Sequence, residues 1–241
     1  MNIYDVKSFH DTAFGNPYVG RGIVIGMSKD GKNAVSAYFI MGRSENSRNR
    51  VFVKDGDDLM IKPFDESKVE DPSLIIYYPV RTLSGITIVT NGDQTDTIKN
   101  HILSGGDFRS ALRTRCFEPD MPNFTPRISA EIDFDEEAKD GFTYQMSILK
   151  SEDAEGSACA RHFFEYEPLK GLGHFIHTYV TDGNPIPSFQ GEPERVNIPD
   201  SIEAFADEIW SALDENNKIS LYVRYIDIET GSYDEKLINK N

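Results

Sequence analysis

Alternation of apolar and polar residues, with many β-branched side chains, dominates this 241-residue chain and predicts a fold built mainly of strands. The predicted strands are residues 21–27, 34–41, 51–54, 59–62, 74–80, 85–90, 127–134, 142–149, 158–166, 174–180 and 219–228. The first four form two hairpins, because an Asp-Gly turn signal separates the members of each pair.

Helical spacing replaces this alternation in only three places, residues 93–103, 107–116 and 202–213. The last is the clearest, since its apolar residues recur at i, i+3, i+4, i+7, i+8 and i+11 behind a capping Asp200 or Ser201. Three helices are too few for alternating βαβ units. The predicted fold is therefore α+β, with mostly antiparallel sheets and helices on their outer faces.

Two segments are predicted to be loops, the proline-rich residues 119–126 and the glycine- and proline-rich residues 181–199. No shift of composition marks a boundary, so residues 1–241 are expected to form a single domain. Residues 136–241 show strand patterns without further motifs. Whether they complete a sheet, cover a site or form an oligomer contact stays open.

The formal net charge of −15 disfavours binding to a nucleic acid polymer or to an anionic membrane. The two cysteines, Cys116 and Cys159, do not form a C-x-x-C pair, so structural thiols in a reducing compartment are expected. No apolar run approaches the length of a membrane span, and residues 1–11 contain no apolar leader segment. A cytoplasmic protein is predicted, and a homo-oligomer stays open.

Arginine is unevenly distributed in this acidic chain, because four of the twelve arginines fall between residues 20 and 50. They lie among glycines, a serine and an asparagine in residues 18–26, 42–44 and 48–50. A guanidinium group presents a planar fork of donors that fits a phosphate or a carboxylate. Several of them at the ends of paired strands would form an anion pocket, so a small phosphorylated ligand is predicted.

An ordered set of short motifs continues from this segment. The motifs are Tyr18-Val19-Gly20-Arg21, Gly42-Arg43-Ser44, Asn49-Arg50, Tyr77, Asn91-Gly92-Asp93-Gln94-Thr95-Asp96 and Thr125-Pro126-Arg127-Ile128. No single motif is specific, but their order and spacing resemble the archaeal-type inosine monophosphate (IMP) cyclohydrolase family over about residues 16–135.

This resemblance implies a four-layer αββα sandwich like that of the N-terminal nucleophile hydrolases. It also implies the last step of purine synthesis, in which 5-formamidoimidazole-4-carboxamide ribonucleotide closes its second ring and loses water to give IMP. The nucleophile would be the carboxamide nitrogen of the substrate, and no metal or organic cofactor is required. The chain begins Met1-Asn2-Ile3 and so does not suggest a processed Cys, Ser or Thr nucleophile.

Four residues are predicted from the resemblance to act on the reacting groups. Arg43 and Arg50 would hold an anion or stabilise the oxyanion that forms on the formyl group. Tyr77 would transfer a proton, and Glu118 would act as a base or orient the substrate. Asp120 stays an alternative to Glu118, because this segment has one residue more than the family pattern.

Substrate binding is assigned from the resemblance to Arg21, Asn49, Asn91, Asp96 and Arg127. Each arginine has an alternative explanation as part of a surface salt bridge. Residues 91–96 could equally be a helix start that is capped by Asp93 and Thr95. Arg127 could hold Glu118 instead of the ligand.

Two other functions stay open at this point. An amidohydrolase of the N-terminal nucleophile type would require a cleaved terminus. A non-enzymatic purine-nucleotide-binding protein would keep the pocket without the chemistry. A metal site is disfavoured, because His174 and His177 are three residues apart on a predicted strand and would face opposite sides of it.

Overall fold

The strands form two sheets in the computed structural model, which describes residues 4–68, 76–134 and 138–241. In chain order the strands are β1 (Arg21–Met27), β2 (Asn33–Met41), β3 (Val51–Asp55), β4 (Asp58–Lys62), β5 (Val80–Leu83), β6 (Ile86–Thr90), β7 (Arg127–Phe134), β8 (Phe142–Ser151), β9 (Cys159–Tyr166), β10 (Leu172–His177), β11 (Glu194–Asn197), β12 (Lys218–Asp227) and β13 (Tyr233–Asn239). Sheet I has six strands in the order β11-β10-β1-β2-β12-β13, and sheet II has seven in the order β3-β4-β5-β6-β7-β8-β9.

All neighbouring strands in both sheets run antiparallel. Both predicted hairpins are present, as β1–β2 in sheet I and β3–β4 in sheet II. The α-helices are α1 (Phe9–Ala13), α2 (Glu45–Arg48), α3 (Gln94–Leu103), α4 (Phe108–Arg113) and α5 (Ile202–Ala212), and a 3-10 turn covers Glu66–Lys68.

The period-2 pattern of β1 explains how the layers pack. Ile23 and Ile25 point into the core between the two sheets, where they join Ile128 of sheet II. Val24 points the other way, into a second core under α1 and α5. A third core, which includes Ile98 of α3, lies between α3, α4 and the outer face of sheet II. The layers follow the order helix, sheet, sheet, helix, which confirms the α+β prediction and is consistent with a layered sandwich.

One end of this sandwich collects the residues of the arginine-rich motifs. Arg21 is the first residue of β1 and shares the inner face with Ile23. Arg127 is likewise the first residue of β7 in the facing sheet, and Asn91 directly follows β6. The antiparallel order therefore brings segments that are far apart in the sequence to one edge of the inter-sheet space.

The strand predicted at residues 74–80 is wrong where the structure describes it. Residues 74 and 75 lie outside the described residues, and the regular strand begins only at Val80 and runs to Leu83, beyond the predicted end at residue 80. Tyr77 is buried in irregular chain beside β4, where its carbonyl accepts a hydrogen bond of 2.9 Å from Ile61 N. Pro79 lacks the N–H that a strand interior needs.

The ends of sheet I also differ from the prediction. β11 lies within the predicted loop at 181–199, and β13 forms from the polar tail of the chain. β11 has only four residues and β13 contains the consecutive charged residues 234–236, so neither shows the regular apolar alternation that reveals a half-buried strand. The strand predicted at 174–180 ends at His177, and the helix predicted at 107–116 ends at Arg113.

The carboxyl-terminal part of the chain completes both sheets, since β8 and β9 extend sheet II and β10–β13 belong to sheet I. Cys116 is exposed and Cys159 half-buried, and burial together with the neighbouring Cys116 thiol raises the pKa of Cys159 to about 11. Within the described ranges, no helix is long and apolar enough to cross a membrane.

Candidate active site

A cavity of about 680 Å³ opens at the edge of the sandwich where the motifs meet. Four arginines and three carboxylates line it, so the charged side chains of the cavity are positive on balance, although the formal net charge of the whole chain is −15. Its lining residues are Tyr18, Arg21, Arg43, Ser44, Ser47, Arg50, Tyr77, Asn91, Gly92, Asp93, Glu118, Pro119, Asp120, Asn123, Thr125, Arg127, Tyr179 and Ile186.

Arg21 and Arg50 are the two cations of this cavity that have no carboxylate partner among the described residues. The Nε atom of each is buried and makes no hydrogen bond to the described part of the chain. Burial and the neighbouring Arg21 guanidinium lower the pKa of Arg50. Guanidinium groups nevertheless stay charged in proteins, so these two side chains present uncompensated positive charge to the cavity.

Tyr77 lies beside these arginines in the cavity wall and is buried. Its hydroxyl is 3.1 Å from the hydroxyl of the buried Tyr38, and either oxygen can be the donor. Burial raises the pKa of Tyr77, although Arg21 and Arg50 act in the opposite direction. The Tyr77 hydroxyl is therefore protonated at neutral pH and is available as a proton donor.

Arg127 differs from Arg21 and Arg50, because carboxylates surround it. Its Nη1 lies 2.7 Å from Asp93 Oδ1 and 3.0 Å from Glu118 Oε1, and it donates to Gln94 Oε1 at 2.7 Å. Gly92 makes room for this cluster, since a Cβ atom there would stand 2.6 Å from Arg127 Nη1. Arg127 thus holds Glu118 at the cavity wall, as the alternative explanation of its role anticipated.

The turn between β6 and α3 is arranged differently from a simple capped helix start. Asp93 occupies the N-cap position without a side-chain capping bond, and its carboxylate binds Arg115 and Arg127 instead. Partial burial acts to raise the pKa of Asp93, but the hydrogen bonds and the charges of Arg115 and Arg127 together outweigh it, so this pKa is lowered. Asn91 lines the cavity, while its amide group accepts a hydrogen bond from Ile128 N at 2.9 Å and donates one to Pro126 O at 2.8 Å.

Arg43 also lines the cavity, but it lies at the exposed rim. Its guanidinium forms an ion pair with Asp182 and donates to Gly183 O at 2.9 Å. The same group lies over the ring of Tyr18, 5.2 Å from its centre. Arg43 is therefore less free to meet an anion than Arg21 or Arg50.

Two of the predicted substrate-binding residues, Asn49 and Asp96, are not among the described residues that line the cavity. The Asn49 side chain bridges the backbone of Asp65, donating at 2.8 Å and accepting at 2.7 Å. Asp96 is the ion-pair partner of Arg81 at 2.8 Å. Both side chains hold neighbouring segments together. A motif match alone cannot distinguish this structural role from ligand binding.

The structure adds cavity residues that the sequence did not single out. Tyr179 and Ile186 come from the carboxyl-terminal half, and Thr125 and Tyr18 lie within motifs but received no role. Tyr18 stacks on Tyr179 with ring centres 5.7 Å apart. The motif order hinted at Tyr18 and Thr125, whereas no local signal marks Tyr179 or Ile186.

Within the described ranges, no group of three or more His, Cys, Asp or Glu side chains is placed to hold a metal ion. His174 and His177 do face opposite sides of β10, as predicted. His174 Nδ1 lies 2.6 Å from Tyr144 Oη in the inter-sheet core, and the His177 ring stacks on Phe175 in the core under α1 and α5. The chemistry that the cavity offers is instead anion binding, proton donation and a held carboxylate.

Comparison with known proteins finds a matching family model and several similar sequences. A family model for IMP cyclohydrolase-like protein matches residues 18–231. The IMP cyclohydrolase of Methanopyrus kandleri is 28% identical over 165 residues, which are 67% of this chain and 75% of that protein. The IMP cyclohydrolase of Methanococcus aeolicus is 29% identical over 67% of this chain and 74% of its own length. That of Methanocella arvoryzae is 36% identical over 48% of this chain and 57% of its own length.

Proposed function

The chain belongs to the family of IMP cyclohydrolase-like proteins, and on that premise we propose that it is an IMP cyclohydrolase. Its substrate is 5-formamidoimidazole-4-carboxamide ribonucleotide, whose carboxamide nitrogen attacks the formyl carbon and closes the purine ring with loss of water. The relatives named IMP cyclohydrolase support this activity.

The observation that carries the proposal is the pair of unpaired arginines in a cavity of nucleotide size. A volume of about 680 Å³ falls within the usual range of ligand pockets, roughly 300–1,000 Å³. Arg21 and Arg50 hold positive charge there without an ion-pair partner in the described ranges. A substrate that carries a phosphate and develops an oxyanion would supply the missing negative charge.

We assign the anionic groups of the substrate as follows. Arg50, deep in the cavity beside Tyr77, stabilises the oxygen of the formyl group as negative charge develops on it. Arg21 holds the 5′-phosphate. This arrangement fixes the formamide against the carboxamide, and the reaction then gains from proximity.

The protons are assigned to the two remaining groups. Glu118, which is oriented by Arg127 at 3.0 Å, accepts the proton that leaves the carboxamide nitrogen. Tyr77 donates a proton to the formyl oxygen, and the Tyr77 hydroxyl is hydrogen-bonded to that of Tyr38. The hydroxyl of the cyclic intermediate then takes the proton that Glu118 holds and leaves as water. The former formamide nitrogen gives its proton to the Tyr77 oxygen, so both Glu118 and Tyr77 return to their starting states.

A cyclisation assay followed by purine absorbance tests the activity. We expect turnover by the wild-type protein, and a large loss in Arg50→Ala, Tyr77→Phe and Glu118→Gln while thermal melts show that each variant stays folded. Full activity in all three variants would contradict the site assignment. A wild-type protein that binds IMP without forming it would be a nucleotide-binding protein and not an enzyme.

A further inference from the structure

Three side chains in the cavity wall are hydrogen-bonded in series. The Tyr179 hydroxyl lies 2.6 Å from Thr125 Oγ1, and Thr125 Oγ1 is bonded to Asp120 Oδ2. The other oxygen of Asp120 accepts a hydrogen bond of 2.6 Å from Thr125 N. All three residues line the cavity, so the series runs along its wall.

The direction of these bonds follows from the number of protons. A carboxylate can only accept, so the single hydroxyl proton of Thr125 is donated to Asp120. Thr125 then has no proton left for Tyr179, and Tyr179 must donate its own proton to Thr125. The Tyr179 oxygen therefore keeps only lone pairs for a ligand, whereas the Tyr77–Tyr38 bond can point either way.

The surroundings keep Tyr179 in this position. Its ring stacks on Tyr18, and its backbone N donates to Val19 O at 3.2 Å. Gly20 has a positive φ of 78°, and a Cβ atom at Gly20 would lie 2.6 Å from the Tyr179 ring. Burial raises the pKa of Tyr179 to about 12, so its hydroxyl stays protonated.

We propose that Tyr179, locked as an acceptor by Thr125 and Asp120, selects ligands that present an N–H or O–H donor at this wall. This inference rests on the proposed function and adds a specificity-determining residue to it. A purine ribonucleotide offers two such donors, the ring N–H of IMP, which derives from the substrate carboxamide, and the ribose hydroxyls.

Asp120→Asn reverses the direction of these hydrogen bonds while keeping the shape of the side chain. The asparagine oxygen still accepts from Thr125 N, but its amide N–H now donates to Thr125 Oγ1. The Thr125 proton turns toward Tyr179, and the Tyr179 proton turns toward the cavity. Tyr179→Phe removes the hydroxyl while keeping the stacked ring, and Thr125→Ser is the matched control that keeps the hydroxyl and its bonds.

Calorimetric titration with three probes measures the effect. The probes are IMP, adenosine monophosphate, which has an acceptor in place of the ring N–H, and 2′,3′-dideoxyinosine monophosphate, which lacks the ribose hydroxyls. Wild type and Thr125→Ser are expected to prefer IMP to one of the two analogues. That preference is expected to fall at least about tenfold in Asp120→Asn and in Tyr179→Phe.

Each result is decisive. If only the ratio of the affinities for IMP and adenosine monophosphate changes, Tyr179 contacts the ring N–H. If only the ratio of the affinities for IMP and the dideoxy analogue changes, Tyr179 contacts the ribose. Unchanged ratios in Asp120→Asn and Tyr179→Phe, with IMP still bound and the proteins folded, would overturn the inference and leave the proposed function intact. Failure of the wild-type protein to bind IMP would instead overturn the proposed function.

Discussion

The two walls of the cavity use arginine in opposite ways. On the sheet II side, Arg127 is buried against Asp93, Glu118 and Gln94. Toward sheet I, Arg21 and Arg50 form no ion pair among the described residues, whereas the buried Nε atom of all three arginines makes no hydrogen bond there. The paired arginine positions other protein groups, and the unpaired ones are left for a ligand.

Another buried ionisable group, outside this cavity, shows why the difference matters. Glu131 lies on the outer face of sheet II with one buried oxygen that has no hydrogen-bond partner in the described residues. Burial raises the pKa of Glu131 to about 7, so this group can become neutral by taking up a proton. A guanidinium has no such alternative, and only an anion can compensate Arg21 and Arg50.

The largest effect is expected from Arg50→Met, which keeps most of the side-chain volume and removes the charge. We predict that turnover in the cyclisation assay falls about 100- to 1,000-fold, as for the loss of one oxyanion donor. The free energy of unfolding of the ligand-free protein should not fall, because no ion pair within the described ranges is broken. A variant that unfolds easily would show that Arg50 is a structural residue, and the comparison would fail.

Arg127→Met, in contrast, should destabilise the ligand-free protein. Asp93 and Glu118 lose a shared cation, and we expect the free energy of unfolding to fall by about 2–3 kcal/mol, discounted for the partial exposure of both carboxylates. Urea denaturation followed by circular dichroism measures this change, with Arg21→Met as the matched control. Equal stability of the two variants would remove the distinction between paired and unpaired arginines.

The smallest effect is expected from Glu131→Gln. The pKa of Glu131 in the folded protein, about 7, is above the ordinary value of 4.5. The folded state therefore binds this proton more tightly, and the contribution to stability is complete below pH 4.5 and is lost as the pH rises toward 7. At pH 8 the variant should be more stable than the wild type by about 1–2 kcal/mol, and at pH 4 it should not.

Urea titrations of both proteins at pH 4 and pH 8 measure this difference. Parallel pH profiles for the wild type and Glu131→Gln would show that the buried carboxyl is compensated in another way. Glu131 would then no longer serve as the example of a buried charge that is neutralised by a proton, in contrast to Arg21 and Arg50.

The sequence predicted most of the sheets but could not predict which arginines are paired. Alternation located β7, whose Ile128, Ala130 and Ile132 face the inter-sheet core, and the apolar run of β1 reflects two faces that both pack against apolar layers. The edge strands β11 and β13 lacked this signal. Arg43 was predicted on the same grounds as Arg50, yet it pairs with Asp182, which is 139 residues away and carries no local sign of that contact.

The candidate site shows the same limit. Motif order placed Arg21, Arg50, Tyr77 and Glu118 in one cavity, and the structure brings them together. Asn49 belongs to the same motifs but serves the backbone of Asp65. Tyr179 reaches the cavity only because sheet I places the end of β10 beside the start of β1, a pairing that depends on the whole fold.

The central claim is that the unpaired arginines are reserved for the anionic groups of a nucleotide. Calorimetric titration of IMP into the wild-type protein and into Arg21→Met tests it most directly. The account predicts that the wild-type protein binds IMP and that the variant, although at least as stable, binds it at least about tenfold more weakly. Equal affinity of the two proteins for IMP would contradict it.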